Sequence, residues 1–351
     1  MTQDRTVTSP ARRRITPLLI AAGALILVYV FVSLTVPDSF GLRVFSDLVY
    51  CGLVAASYFS TLPNQVVSKG RAAAFWTLIS AGFGIWLLAS VLWAFYELIL
   101  RRDINSNFWG DAMIFFHVAP LIAAFAVRPH LGDGKKLWVS LTDSLLVMIW
   151  TGYLYAFVVL PWDLLTPDQI VYNKNFDLLY GGANAALVFV ALVAWGRSRG
   201  YWRAVYLQIC GAAFLYCLGS YVVNTAISAK LYYSGSIYDV PLVASLAWFV
   251  GVGLVGQRRR AELQAELRSN TSLNESDSVN SVWGPRLAII AILSVPLVEM
   301  VNASTSLVSP RVSHYRLGLT LATLAVLTGL FIFRQNLAHR SAALASAYST
   351  D

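Results

Sequence analysis

Apolar runs of membrane length follow one another along the chain, separated by short polar breaks. A helix rises about 1.5 Å per residue and needs roughly 20 apolar residues to cross a bilayer's hydrocarbon. Ten runs are candidate spans: residues 15–36, 42–62, 72–100, 108–127, 137–160, 178–195, 205–229, 237–255, 287–301 and 317–333. The third is longer than a crossing needs, so it should tilt or project beyond the hydrocarbon. The ninth is the weakest, because Pro296 and Glu299 interrupt it. The pattern predicts an all-α membrane protein of about ten transmembrane helices. It divides into a tail at 1–14, an eight-helix region at 15–255, a linker at 256–286, a helix pair at 287–333 and an exit segment at 334–351.

Composition agrees with lipid as the solvent. Charged residues make up 13% of the chain, against about 25% in soluble domains. The formal charge of +8 does not point to nucleic acid, because the basic residues sit in short loops and form no stripe with interleaved aromatics. With the N-terminus in the cytoplasm, 19 of the 26 Lys and Arg fall in cytoplasmic loops. That bias predicts both termini inside. Arg12, Arg13 and Arg14 precede a first run too long for a cleavable signal, so it reads as a retained anchor.

The longest loop follows the eighth run. Its first part, from Arg258 to Arg268, pairs acids and bases at helical spacing and could extend that helix. Its second part, from Ser269 to Ser281, is rich in Ser and Asn and reads as a flexible linker. Asn270 and Asn274 match the glycosylation pattern, but their cytoplasmic placement makes these chance matches.

Ionisable groups in hydrocarbon are costly and need a reason. Five acids gather at the predicted outer ends of different helices: Asp47, Glu97, Asp111, Asp239 and Glu299. Trp86, Ser90, Trp93 and Glu97 share one face of the third helix. Convergence of these faces would give a shallow acidic and aromatic cavity for a cation, an amine or a proton. The candidate ligand residues are therefore Trp93, Glu97, Asp111, Asp47, Asp239 and Glu299. The ordinary alternative is that acids at helix ends are hydrated or cap a helix, a natural role for Asp111 and Asp239. Asp143, after Ser140 and Thr142, reads as an N-terminal cap. His117 and Asn224 read as polar groups bonding helix to helix. Trp162, Tyr172, Tyr232, Tyr233 and Tyr238 read as an interfacial belt.

Cys51, Cys210 and Cys217 lie inside apolar runs without a CxxC pair, and the four histidines make no metal-ligand spacing. No nucleophile elbow, zinc-protease motif or phosphate loop is present; Gly132-Asp-Gly-Lys135 lacks the required spacing. No catalytic residue, metal or cofactor is assigned, and an enzyme would have to work with intramembrane acids alone.

Trp93-Ala-Phe-Tyr-Glu97, a short loop, a helix opening with Asp111, then Asp143-Ser-Leu-Leu146 and the exit Phe333-Arg-Gln335 form one layout. It resembles the multi-helix N-terminal sensory regions of bacterial GGDEF diguanylate cyclases and some histidine kinases. The likeness covers most of the chain in layout and only short motifs in letters. The output module of that family has no counterpart before Asp351. The resemblance implies the membrane part of a longer protein or a stand-alone relative. It further implies a multi-pass bacterial inner-membrane module passing an outer or intramembrane signal inward. The implied partners are the lipid bilayer, a small-molecule ligand at the outer face, optionally a second copy in a homodimer, and a cytoplasmic output domain in cis or in trans. A secondary transporter using the outer carboxylates is the alternative, although no equal inverted repeats are visible. An intramembrane acyl- or glycosyl-transferase comes third.

Overall fold

The computed structural model describes residues 15–101, 109–131, 137–261, 283–305 and 309–347. The expected N-terminal tail, most of the Arg101–Asp103 hairpin, the Gly132–Lys135 loop, the Ser/Asn-rich linker with Asn270 and Asn274, and the last residues of the exit segment lie outside these. So does most of the helical extension expected from Arg258 to Arg268.

Among the described residues the chain is helical, without strands. α1 spans Ile15–Thr35, α2 Phe40–Val67 and α3 Gly70–Ala94, which continues into a π-helical turn at Phe95–Ile99. The fourth predicted span is two helices, α4 (Trp109–Phe116) and α5 (Val118–Val127), interrupted at His117. α6 spans Leu137–Val158, α7 Gln169–Arg197, α8 Gly200–Ser228, α9 Val240–Arg258, α10 Trp283–Thr305 and α11 Pro310–Ala347. Local chemistry sets several starts. The Ser39 side chain accepts from the Leu42 amide to open α2, and Asp168 accepts from Ile170 and Val171 to open α7. Pro241, near the start of α9, has no N–H to leave unanswered.

Among the described residues eight helical segments are long and apolar enough to cross a membrane; the apolar stretches 20–35 in α1 and 289–300 in α10 are shorter. The outward sides of these helices carry large apolar residues such as Leu27, Phe31, Leu88, Leu178 and Leu321, all more than half exposed. Exposure to water would cost about 25 cal/mol per Å²; lipid solvates such faces without that penalty. The chain is an all-α, multi-pass membrane protein.

Six helical legs form a closed ring. α2 packs on α3, α3 on α4 and α5, α5 on α7, α7 on α8, α8 on α9, and α9 returns to α2. Two features let the ring close tightly. At the α2–α9 crossing a Cβ on Gly253 would collide with the Ser60 backbone, and the bare Gly253 carbonyl accepts from Asn64 Nδ2 at 2.8 Å. Inside, Phe75 meets Phe125, Trp202 and Tyr206 edge-on, at ring distances of 6.0, 5.3 and 5.8 Å.

α6 stands beside the ring against α5, and α10 and α11 pack on its far side. Their shared core centres on Leu146, Tyr153, Phe157, Val295 and Leu327. The Tyr153 hydroxyl donates to the Val295 carbonyl at 3.2 Å and lies 3.1 Å from Thr320 Oγ1, so one residue of α6 holds both outer helices.

Candidate functional site

At one end of the ring the helix termini splay around a cavity of about 490 Å³, a volume within the range of small-molecule sites. Its walls come from the start of α2, the end of α3, the start of α4, the first half of α7, the end of α8 and the segment leading into α9. Four carboxylates line it, one from each of four elements: Asp47, Asp111, Asp177 and Asp239. No Lys or Arg is among the described lining residues.

The acids differ in how they are answered. Asp239 sits at the N-cap position of α9 without capping it. Its Oδ2 accepts instead from the Gly235 amide at 2.8 Å and from the Tyr29 hydroxyl at 3.5 Å. Gly235 can offer that amide because it holds φ +91°, a conformation side chains disfavour. The Tyr232 phenol also bonds Asp239; burial, and then the Asp239 charge, push its pKa well above the ordinary range, so it stays a donor. Asp111 accepts from the Tyr172 hydroxyl at 3.3 Å, and Asp177 from Asn224 Nδ2 at 3.4 Å. Asp47 differs. It is 7% exposed, and its Oδ2 has no hydrogen-bond partner among the described residues. Its neighbour Ser46 lies instead 2.8 Å from the Tyr29 hydroxyl.

The apolar wall is aromatic. Trp86 stacks on His117 at 4.3 Å on one side and meets Tyr216 edge-on at 4.8 Å. Tyr216 shares a hydroxyl contact of 2.8 Å with Tyr180. Trp93 also lines the cavity and donates from its indole to Glu97 Oε2 at 3.0 Å. Glu97 accepts from Ser234, another lining residue, at 3.1 Å, which places it behind the first ring of side chains.

Asp47, Trp93, Asp111 and Asp239 thus border one cavity, with Glu97 bonded to its wall. Glu299 is elsewhere. It lies on α10, beyond α6, where its charge interacts with Arg316 of α11.

Several single-residue expectations change. Asp143 is not a cap: it lies in the second turn of α6, 5% exposed. Its Oδ1 accepts from Arg334 Nε at 2.6 Å, and its Oδ2 from Arg128 Nη2 at 3.1 Å. Asp111 and Asp239 make side-chain bonds other than capping ones. Tyr172, expected in the interfacial belt, is 3% exposed and bonds Asp111 at the edge of the cavity. His117 is buried at the break between α4 and α5, bonded through Nδ1 to the Ile114 carbonyl of its own helix, not to a neighbouring one. Asn224 does join two helices, through Asp177.

Asp177 escapes the sequence reading because the polar run Asn173-Lys-Asn175 places the predicted start of that span at 178, whereas the helix begins at Gln169. Spacing alone could find it, since Asn173, Asp177 and Tyr180 fall on one helical face.

The three cysteines are free. No group of three or more His, Cys, Asp or Glu among the described residues is arranged to hold a metal ion. The chain matches no family model, no curated protein and no solved structure.

Proposed function

We propose that this protein is a membrane sensory module. Ten crossings in a bacterial inner membrane leave both termini cytoplasmic and the cavity facing outward. A small ligand in the cavity biases the packing of the ring, and α11 passes that bias to a cytoplasmic output domain.

The single observation that carries this reading is the buried carboxylate of Asp143. The α4–α5 leg begins at the cavity with Asp111 and ends at Arg128. Arg128 and Arg334 share Asp143 between them, with side chains 19% and 5% exposed. A displacement of that leg therefore reaches α11 through one shared ion. Arg197 also acts on Arg128 electrostatically. The end opposite the cavity is accordingly basic, as a cytoplasmic end should be. A ligand can signal this way only if it binds two packings unequally.

A secondary transporter could use the same acids. The buried junction between the ring and α11 favours signalling, since a transporter does not require it. The test is a cyclase reporter fused after Asp351. Glu97→Gln with Asp111→Asn should change its output, and adding Asp143→Asn should abolish that change. Identical output from all three chains refutes the proposal.

A further inference from the structure

The cavity's chemistry narrows the class of ligand, an inference that rests on the proposed reading of the cavity as the ligand site. Three of its four lining acids already receive hydrogen bonds from the protein: Asp111 from Tyr172, Asp177 from Asn224, and Asp239 from Gly235 and Tyr29. Asp47 alone leaves an enclosed oxygen unanswered while lining the same space. A buried carboxylate without a counter-charge is strongly disfavoured, and no Lys or Arg among the described lining residues supplies one. Either a proton or a cation in the cavity answers that charge, and the aromatic wall beside Asp47 favours a cation.

A bare metal ion is a poor fit. Hard cations take about six or more oxygen ligands at close range, and no metal-holding cluster exists among the described residues. The 490 Å³ volume is also far larger than an ion needs. Much of the wall is aromatic, with Tyr50, Trp86, Trp93, Tyr180 and Tyr216 all lining it. Aromatic faces attract alkylated ammonium groups, whose charge is spread over carbon substituents and weakly hydrated. The single enclosed carboxylate oxygen without a hydrogen-bond partner offers one anchor point for one cationic group.

We infer that the cavity binds a monovalent organic ammonium ion, with the Asp47 carboxylate as its counter-ion and the Trp86–Tyr216 wall against its apolar substituents. Asp111, Asp177 and Asp239 keep the surrounding potential negative while their own hydrogen bonds hold them in place. The Asn173, Ser90 and Ser220 side chains supply polar contacts for a hydroxyl or carbonyl on the same ligand.

The full chain in lipid nanodiscs is titrated with choline, with phenethylammonium, with choline's uncharged carbon isostere dimethylbutanol, and with sodium chloride at matched ionic strength. Tryptophan fluorescence reports occupancy, because Trp86 and Trp93 line the cavity, and the thermal midpoint provides a second readout. At least one ammonium probe should bind saturably, and dimethylbutanol and sodium should not. Asp47→Asn should weaken that binding roughly ten- to a hundredfold, the value of a charge-assisted bond, and Asp47→Glu should retain most of it. Asp38→Asn, in an exposed pair with Arg43, should leave it unchanged. The inference is overturned if neither ammonium probe binds, if dimethylbutanol binds as well as choline, or if Asp47→Asn binds as tightly as the unmodified chain. If Asp47→Asn does not fold, the contrast between choline and dimethylbutanol on the unmodified chain decides. Ammonium binding without reporter output leaves this inference standing and removes the signalling reading. Reporter output through Asp143 without ammonium binding does the reverse.

Discussion

Neutralising Asp143 tests the junction between the ring and α11 most directly. Asp143→Asn keeps the side chain's shape and removes the one negative charge shared by Arg128 and Arg334. The contacts at stake are Arg334 Nε to Oδ1 at 2.6 Å, Arg334 Nη2 to Oδ2 at 3.3 Å and Arg128 Nη2 to Oδ2 at 3.1 Å. At an effective dielectric of about 20, unit charges 4 Å apart attract by roughly 4 kcal/mol. Two such attractions converge here, offset by the cost of desolvating three ions. Removing the central acid keeps the desolvation cost of the two guanidinium groups and loses the attraction, which for a buried pair amounts to about 3–5 kcal/mol. That is a large share of the roughly 5–15 kcal/mol that holds a typical fold. Arg334→Gln should cost less, because Arg128 continues to answer Asp143. Combining Asp143→Asn with Arg334→Gln should fall short of the summed single effects by about 0.5–3 kcal/mol, the usual coupling between contacting groups. The assay is reversible unfolding in mixed micelles, followed by tryptophan fluorescence. A loss under about 1 kcal/mol for Asp143→Asn, or strict additivity in the double variant, refutes the junction as described.

Two further outcomes follow from other parts of the fold. Gly253→Leu drives a branched side chain into the Ser60 backbone at the α2–α9 crossing, and should lower stability by about 1–3 kcal/mol or more; an unchanged melting midpoint in a nanodisc would count against so close an approach. Cysteines introduced singly at Lys230 and at Arg340 should react with an impermeant maleimide from opposite sides of sealed vesicles, and labelling from one side only removes the proposed topology.

Much of this architecture can be read from letters alone, because a membrane imposes length on every span. The ring's helices fall where apolar runs lie, and the face Trp86–Ser90–Trp93 follows from helical spacing. Lateral position is another matter. Glu299 was expected beside the other acids because all five lie toward the same ends of their helices. Periodicity says nothing about which helices are neighbours, and α10 packs beyond α6. The partnership of Asp143 and Arg334 joins residues 191 positions apart and leaves no local trace. Asp177 was lost for a different reason: α7 continues past its apolar stretch into polar residues that resemble a loop. The interruption at His117 does have a local signal: Pro120 stands inside the fourth run and has no N–H to answer the Phe116 carbonyl four residues back, where α4 ends.

The π-helical turn at Phe95–Ile99 has a geometric consequence for the rim of the cavity. Such a turn accommodates one residue more than a regular one, and a single residue corresponds to about 100° of winding. The last turn before residue 100 is therefore offset by about 100° from the winding of the 25-residue helix beneath it. Trp76, Phe83 and Trp86 can stay keyed to the interior while Glu97 swings round to meet a hydroxyl from the segment between α8 and α9. Restoring regular winding there would act like turning a key by a quarter revolution: the shaft would hold still, and the tip would face a different wall.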